Sequence, residues 1–229
     1  MCERLSTGER RLRVRGVIFD VDGTLADSLG LFYEIACEVL DTAGLPAPTR
    51  ERVYGLMRVG DTSPLENLFP RDYPDIAGTV QGIVQERMAA WLDRYNRETE
   101  AMPGTVETLH SLHERGLRLG IATSSGRDLP FLDRWGVRHL FSGIVGREDV
   151  RARKPDPEPI RKCLARLNLE AKDALYVGDS PIDVDAGKAA GTYTVGVLTG
   201  TSDYRVMRPH QPDHILPDMS GLPHILDLD

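Results

Sequence analysis

The stretch Val14-Arg15-Gly16-Val17-Ile18-Phe19-Asp20-Val21-Asp22-Gly23-Thr24 carries the decisive reading. A β-branched, apolar run stops at a carboxylate. This predicts a buried strand over 14–19 that delivers Asp20 and Asp22 from its carboxyl end. Asp and Gly alone could be ordinary turn chemistry. A calcium loop of the EF-hand kind would need Gly at its sixth position and Glu at its twelfth. Those positions hold Leu25 and Leu31, and the acidic pair follows a strand.

Working outward, Phe32, Ile35, Ala36, Val39, Leu40 and Ala43 recur at helical spacing over 28–43, and Gly44 follows as a stop. Between Leu45 and Thr99 no strand pattern is found. A helix is predicted over 80–95, and several prolines punctuate the rest. From Pro103 the pattern changes. Helices over 106–115, 129–135, 158–167 and 182–190 alternate with strands over 117–122, 143–145, 174–177 and 193–198, and a short edge strand is expected over 214–216. Alternating strands and helices predict an α/β fold with a doubly wound parallel sheet, a Rossmann-like core. The first strand is separated from this run by a helical block. The expected organisation is therefore a core of 1–30 and 102–229 with an inserted α-helical cap of 31–101.

Composition narrows the function classes. The 229 residues carry 28 Lys+Arg against 35 Asp+Glu, a formal net charge of −7. That balance disfavours non-specific binding along a nucleic-acid backbone, which needs clustered cations. No apolar run reaches the roughly 18 residues that span a bilayer, and no apolar stretch follows Arg10, Arg11, Arg13 and Arg15 as a signal peptide would require. These arginines read as a solvated approach to the first strand. Cys2, Cys37 and Cys163 form no CxxC or zinc spacing, which suits a reducing cytoplasm. The expected partner is a small molecule, with no nucleic acid or membrane, for a monomer or homodimer. His110 and His113 read as a polar helix face, His210 and His214 as loop residues, and Met88 and Trp91 as cap core.

In open α/β sheets, ligands bind beyond the carboxyl ends of the strands. Asp20 and Asp22, Thr123 and Ser124, Lys154, and Asp179 and Asp183 all follow predicted strands. If those strands are neighbours, the groups converge. Clustered carboxylates call for a cation, and all-oxygen ligands suit Mg²⁺. Lys154, the Thr123 hydroxyl and nearby backbone N–H groups add positive charge and donors, which suits a phosphoryl group. No Walker loop is present. A carboxylate nucleophile is the remaining way to take the phosphoryl group covalently.

Four segments then resemble the motifs of the haloacid dehalogenase-like hydrolases, in the phosphoglycolate phosphatase-like branch. They are Phe19-Asp20-Val21-Asp22-Gly23-Thr24-Leu25-Ala26-Asp27-Ser28, Ile121-Ala122-Thr123-Ser124, Arg153-Lys154-Pro155-Asp156-Pro157-Glu158-Pro159, and Val177-Gly178-Asp179-Ser180-Pro181-Ile182-Asp183. The resemblance implies Mg²⁺-dependent hydrolysis of a small phosphomonoester through an aspartyl-phosphate. It implies Asp20 as nucleophile and Asp22 as general acid and base, with Thr123 and Lys154 assisting. It implies a metal held by the side chains of Asp20 and Asp179 and the backbone carbonyl of Asp22, supported by Asp183. Gly23, Thr24, Ser124 and Ser125 are the implied substrate contacts. Arg58-Val59-Gly60-Asp61 resembles a cap loop that faces the site, and Arg58 is expected to meet a substrate carboxylate there. A β-phosphoglucomutase-like phosphosugar mutase, which uses the same two aspartates, and a catalytically quiet binding protein are the alternatives. The family's dehalogenases lack the second aspartate of the first motif, so Asp22 favours phosphoester chemistry.

Overall fold

A computed structural model describes residues 11–60 and 64–227. Cys2, Arg10 and Asp61, singled out above, lie outside them. The first strand, β1 (Gly16–Phe19), is wholly buried. A two-residue strand, β2 (Ala26–Asp27), follows it. Three helices come next: α1 (Leu29–Thr42), α2 (Arg50–Arg58) and α3 (Ile76–Glu98). The strand β3 (Glu100–Ala101) then pairs antiparallel with β2, so a two-stranded ribbon closes the helical insertion at its base. The remaining elements alternate: α4 (Thr105–Glu114), β4 (Arg118–Ala122), α5 (Phe131–Arg134), β5 (Phe141–Val145), α6 (Glu158–Leu167), β6 (Ala174–Gly178), α7 (Pro181–Ala190), β7 (Tyr193–Val197), α8 (Tyr204–Met207), β8 (His214–Leu216) and α9 (Leu222–Ile225).

Six strands form one sheet in the order β5-β4-β1-β6-β7-β8, and every neighbouring pair is parallel. The doubly wound α/β reading therefore holds. β1 lies between β4 and β6, with Phe19 level with Ile121 on one side and Val177 on the other. The chain winds from β1 toward β5 and then crosses to β6, so β1 marks the topological switch, where such sheets bind ligands. Strands covered on both faces read as continuous apolar runs. Val17 and Phe19 join the core under α4 and α9, and Ile18 joins the core under α6 and α7. Each such buried side chain contributes about 1.5–3 kcal/mol relative to exposure.

The helical insertion has a core of its own. Ala36, Val39, Leu40, Val53, Leu68, Phe69, Val80, Ile83 and Trp91 pack together. Trp91 is 4% exposed, as expected of cap core, and its indole N–H donates to Glu38 at 2.8 Å. Met88 does not share that core: it is 48% exposed. Met88 and Trp91, three apart, lie on the same side of α3; Trp91 is covered by the bundle and Met88 stands at the open edge. α2 was not anticipated, because five of its nine residues are charged or glycine and the surrounding prolines mask it. Thr49 caps it by accepting the Arg52 N–H at 3.3 Å.

The candidate active site

The loop after β1 folds back tightly. The N–H groups of Thr24, Leu25 and Ala26 all donate to the Val21 carbonyl, and Gly23 donates to the Ala26 carbonyl. Gly23 has φ +78°, and a Cβ there would meet the Asp179 carboxylate at 2.9 Å. Both the conformation and the close approach require glycine. The turn leaves Asp20 facing a cavity of about 180 Å³, whose wall also includes Asp22, Ser124, Ser125, Lys154 and Asp179. Phe32, Met57, Gly60 and Pro64 come from the helical insertion, and Arg153, Ser180, Ile182 and Thr201 complete the wall. The carboxyl ends of β1, β4 and β6 thus converge as the strand order demands.

Charge is arranged asymmetrically in this cavity. Lys154 is 3% exposed. Its ammonium lies 2.9 Å from Asp20 Oδ1 and 2.6 Å from Asp183 Oδ1, and donates to the Tyr176 hydroxyl at 3.1 Å. Burial alone would push this amine down, but Asp183 and then Asp20 outweigh it and hold it well above its ordinary value. Asp183 is also the third residue of α7. Its other oxygen accepts from the Ser180 N–H at 3.1 Å and from the Ser180 hydroxyl, forming a capping box. Both oxygens of Asp183 are therefore committed, and it is not part of the cavity wall.

Asp179 Oδ2 accepts two hydrogen bonds from Thr201, from the N–H at 2.6 Å and the hydroxyl at 2.8 Å. Gly200 permits that approach, since a Cβ there would lie 2.0 Å from Asp179 Oδ2. Burial, followed by the charge of Asp183, pushes Asp179 up to about 7 against those two hydrogen bonds. Burial also raises Asp20 well above the carboxylate range. Lys154 opposes this, while Asp183, Asp179 and Asp22 add to it. One oxygen each from Asp20, Asp179 and Asp183 lie within 4.8 Å of one another. Three buried carboxylates facing one ammonium leave an excess of negative charge. An all-oxygen set of this kind fits a hard divalent cation.

Asp22 is held differently. Its Oδ1 accepts from Ser28 Oγ at 2.7 Å and Tyr95 OH at 2.9 Å, and its Oδ2 accepts from Ser125 Oγ at 2.6 Å. Three hydroxyls from three parts of the chain fix its orientation, beside the acidic cluster rather than in it. Ser125 thus reaches the site through its side chain. Thr123 lies behind the wall, with its hydroxyl accepting the Ser125 N–H at 3.0 Å. Thr24 is fully buried, and its hydroxyl has no partner among the described residues.

The cap-loop expectation has a different outcome. Met57 and Gly60 reach the cavity, but Arg58 is not part of its wall. The Arg58 guanidinium instead donates to Glu51 at 2.6 Å. These residues lie seven apart on α2, two turns along one face. His210 pairs with Asp185 at 2.9 Å and stands outside the site.

Sequence reasoning missed Thr201, Tyr176, Ser28 and Tyr95 as partners of the carboxylates. Tyr176 carried a signal, as the lone hydroxyl in the apolar run of β6; its OH donates to the Ala122 carbonyl at 2.9 Å. Tyr95 carried none, because Asp22 lies 73 positions away with most of the insertion between them.

A parallel sheet with acidic groups at its switch point and a helical cover defines a class of hydrolase. The sequence profile of the haloacid dehalogenase-like hydrolases matches residues 17–197. The chain belongs to that family, and within it to the phosphatases. It is 34% identical over 223 residues to the pyrophosphatase PpaX of Bacillus velezensis, covering 93% of this chain and 96% of the other. It is 31% identical over 240 residues to the phosphoglycolate phosphatase of Salmonella typhi, covering 92% and 94%. A solved structure from Bacteroides fragilis, a candidate haloacid dehalogenase-like hydrolase, superposes with a TM-score of 0.78 at 28% identity, over 92% of this chain and 100% of that one.

Proposed function

We propose that the protein is a Mg²⁺-dependent phosphatase of the reducing cytoplasm that hydrolyses a small-molecule phosphomonoester through an aspartyl-phosphate on Asp20, with residues 31–101 as its cap. The observation that carries this reading is the Asp20 carboxylate, ion-paired to buried Lys154 at 2.9 Å and facing a cavity beside Asp22 and Asp179. Asp20 and Asp179 would hold the metal with the Asp22 carbonyl, and Asp183 would support them from behind. Mg²⁺, when bound, supplies positive charge for the phosphoryl oxygens.

Asp20 attacks phosphorus with Oδ2, which accepts no hydrogen bond among the described residues. The Oδ2–P bond forms, the bond from phosphorus to the ester oxygen breaks, and Asp22 gives its proton to the departing alkoxide. Asp22 then takes a proton from water as the water oxygen attacks phosphorus. The Oδ2–P bond breaks and inorganic phosphate leaves. Lys154 offsets the charge of Asp20 before attack and of the phosphoryl group after it. The Ser124 N–H serves as a donor to the phosphoryl oxygens, with Gly23, Thr24 and Ser125 shaping its surroundings, while the Thr123 hydroxyl supports this loop from behind by accepting the Ser125 N–H.

The relatives' names differ in substrate, so they support phosphoryl chemistry and leave the organic part open. The test is phosphate release from p-nitrophenyl phosphate. We expect EDTA to abolish it, Mg²⁺ to restore it and Ca²⁺ to restore it poorly, because Mg²⁺ holds a tighter octahedron. Undiminished turnover in EDTA would overturn the metal-dependent reading.

A further inference from the structure

The cavity at Asp20 does not end at the cap. A second cavity of about 420 Å³ opens beside it, and Phe32, Met57, Pro64, Ser124 and Ser125 belong to both walls. A group attached to a phosphate at Asp20 and directed toward the cap would enter this space. Its size falls within the ~300–1,000 Å³ usual for ligand sites.

The second cavity is apolar where the cap lines it. Ile35 of α1, Leu56 of α2, Leu65, and Met88 and Leu92 of α3 face it. Met88 and Leu92 are 48% and 52% exposed, an unusual display of large apolar side chains beside a polar site. Among the described residues, the cap's polar side chains here are already committed. The Trp91 N–H donates to Glu38 and the Tyr95 hydroxyl to Asp22. Arg58, the cation expected to greet a carboxylate, is turned to Glu51. A sugar or a short hydroxy acid lying against the cap side of this groove would bury hydroxyls or a carboxylate against side chains that cannot answer them, which is unfavourable; Arg147, on the opposite core side, is exposed and is the cation a carboxylate would have to reach. An apolar body would instead cover Met88 and Leu92, and methionine adapts readily to varied apolar shapes.

We infer that the substrate is a phosphate monoester with an apolar organic body, an alkyl or aryl group that leaves the Asp20 cavity between Phe32 and Met57 and lies along the cap groove. This deepens the phosphatase reading and rests on it.

The experiment compares kcat/KM for the monophosphates of ethanol, butanol, hexanol and 2-phenylethanol, all primary alkoxide leaving groups, with glycerol 1-phosphate and phosphoglycolate. The expected result is a rise of roughly two- to fourfold for each added methylene, with the polar esters no better than ethyl phosphate. The phenylethyl ester ranks an aryl body against an alkyl one. Met88→Asp and Leu92→Asp, both at half-exposed positions, should lower the hexyl-to-ethyl ratio about tenfold, as expected when a charge is placed where the chain must lie. Active enzyme with a flat or falling series, or with phosphoglycolate or glycerol phosphate preferred, would overturn the inference while leaving the phosphatase reading intact. If no ester were turned over, the phosphatase reading would fail, and calorimetric binding of methyl-, butyl- and hexylphosphonate would still decide the groove: tightening with length supports it, and equal affinities refute it.

Discussion

The wall that the sheet gives to the cavity and the wall that the helical insertion gives it differ in kind. On the sheet side the acidic groups and Lys154 are all partnered: Lys154 buried between Asp20 and Asp183, Asp179 buried under Thr201, and Asp22 half-buried under three hydroxyls, with Arg153 exposed at the rim. On the insertion side the charged groups pair on the outer surface, as Arg94 does with Glu34 and Glu38, and apolar side chains face inward. The rigid side holds groups whose relative placement decides a phosphoryl transfer, for which fixed dipoles and charges need no reorganisation. The other side presents a surface that can grip by area without specifying direction. Chemistry and recognition are thus assigned to different parts of the chain, and substitutions on the two sides should fail differently.

The largest difference should come from Asp22→Asn. General acid–base help is worth roughly 10²–10⁴-fold, and it matters most for an alkoxide that must be protonated as it leaves. Steady-state rates on an alkyl phosphate and on p-nitrophenyl phosphate should separate, with the alkyl ester losing far more. Equal losses would remove Asp22 from the leaving-group role and blur the division between the two walls.

Next in size is Lys154→Met. It leaves the buried carboxylates of Asp20 and Asp183 without their shared cation, and breaking a buried pair from one side costs about 3–5 kcal/mol. Urea titration in EDTA should show that loss, and adding Asp183→Asn should recover part of it. Stability within about 0.5 kcal/mol of wild type would mean the charges on the sheet side are not coupled as their distances indicate.

Tyr95→Phe probes the polar contact by which the insertion reaches Asp22 itself. The lost hydrogen bond to a charged group is worth about 1.5–3 kcal/mol. It should appear as a fall in kcat with little change in KM, since the hydroxyl orients Asp22 and leaves the groove's apolar face intact. A change confined to KM would assign Tyr95 to substrate contact instead.

The smallest effect is expected at Arg58→Ala. Glu51, its partner, has a side chain 80% exposed, and exposed pairs contribute about 0–1 kcal/mol. Thermal melting should move little, and kcat/KM on alkyl phosphates should move less than twofold. A tenfold loss would return Arg58 to the specificity role that the sequence suggested.

The same contrast explains what could be read from the chain. The sheet side was legible because Asp20, Thr123 and Asp179 sit at the ends of strands, and a strand announces itself as a short apolar run that stops at the functional residue. Asp20 after Val17-Ile18-Phe19 and Asp179 after Leu175-Tyr176-Val177 are local statements. The insertion was legible only as helices. What its side chains face depends on contacts such as Glu38 with Trp91 and Asp22 with Tyr95, which span 53 and 73 residues and leave no periodic trace. The ribbon of β2 and β3 is two residues long on each side, too short for any alternation to register. Arg58 is the instructive exception, because Glu51 two helical turns earlier was a local signal that it would be engaged elsewhere.

The central claim is that Asp20 becomes covalently phosphorylated. The most direct measurement is rapid acid quench of the enzyme during turnover of p-nitrophenyl phosphate with Mg²⁺, followed by peptide mass spectrometry. The predicted result is one acid-stable, hydroxylamine-labile phosphoryl group on the peptide containing Asp20, absent from Asp20→Asn and accumulating in Asp22→Asn, whose second step lacks its base. Full turnover by Asp20→Asn, or a phosphoryl group trapped on a different residue, would contradict the account.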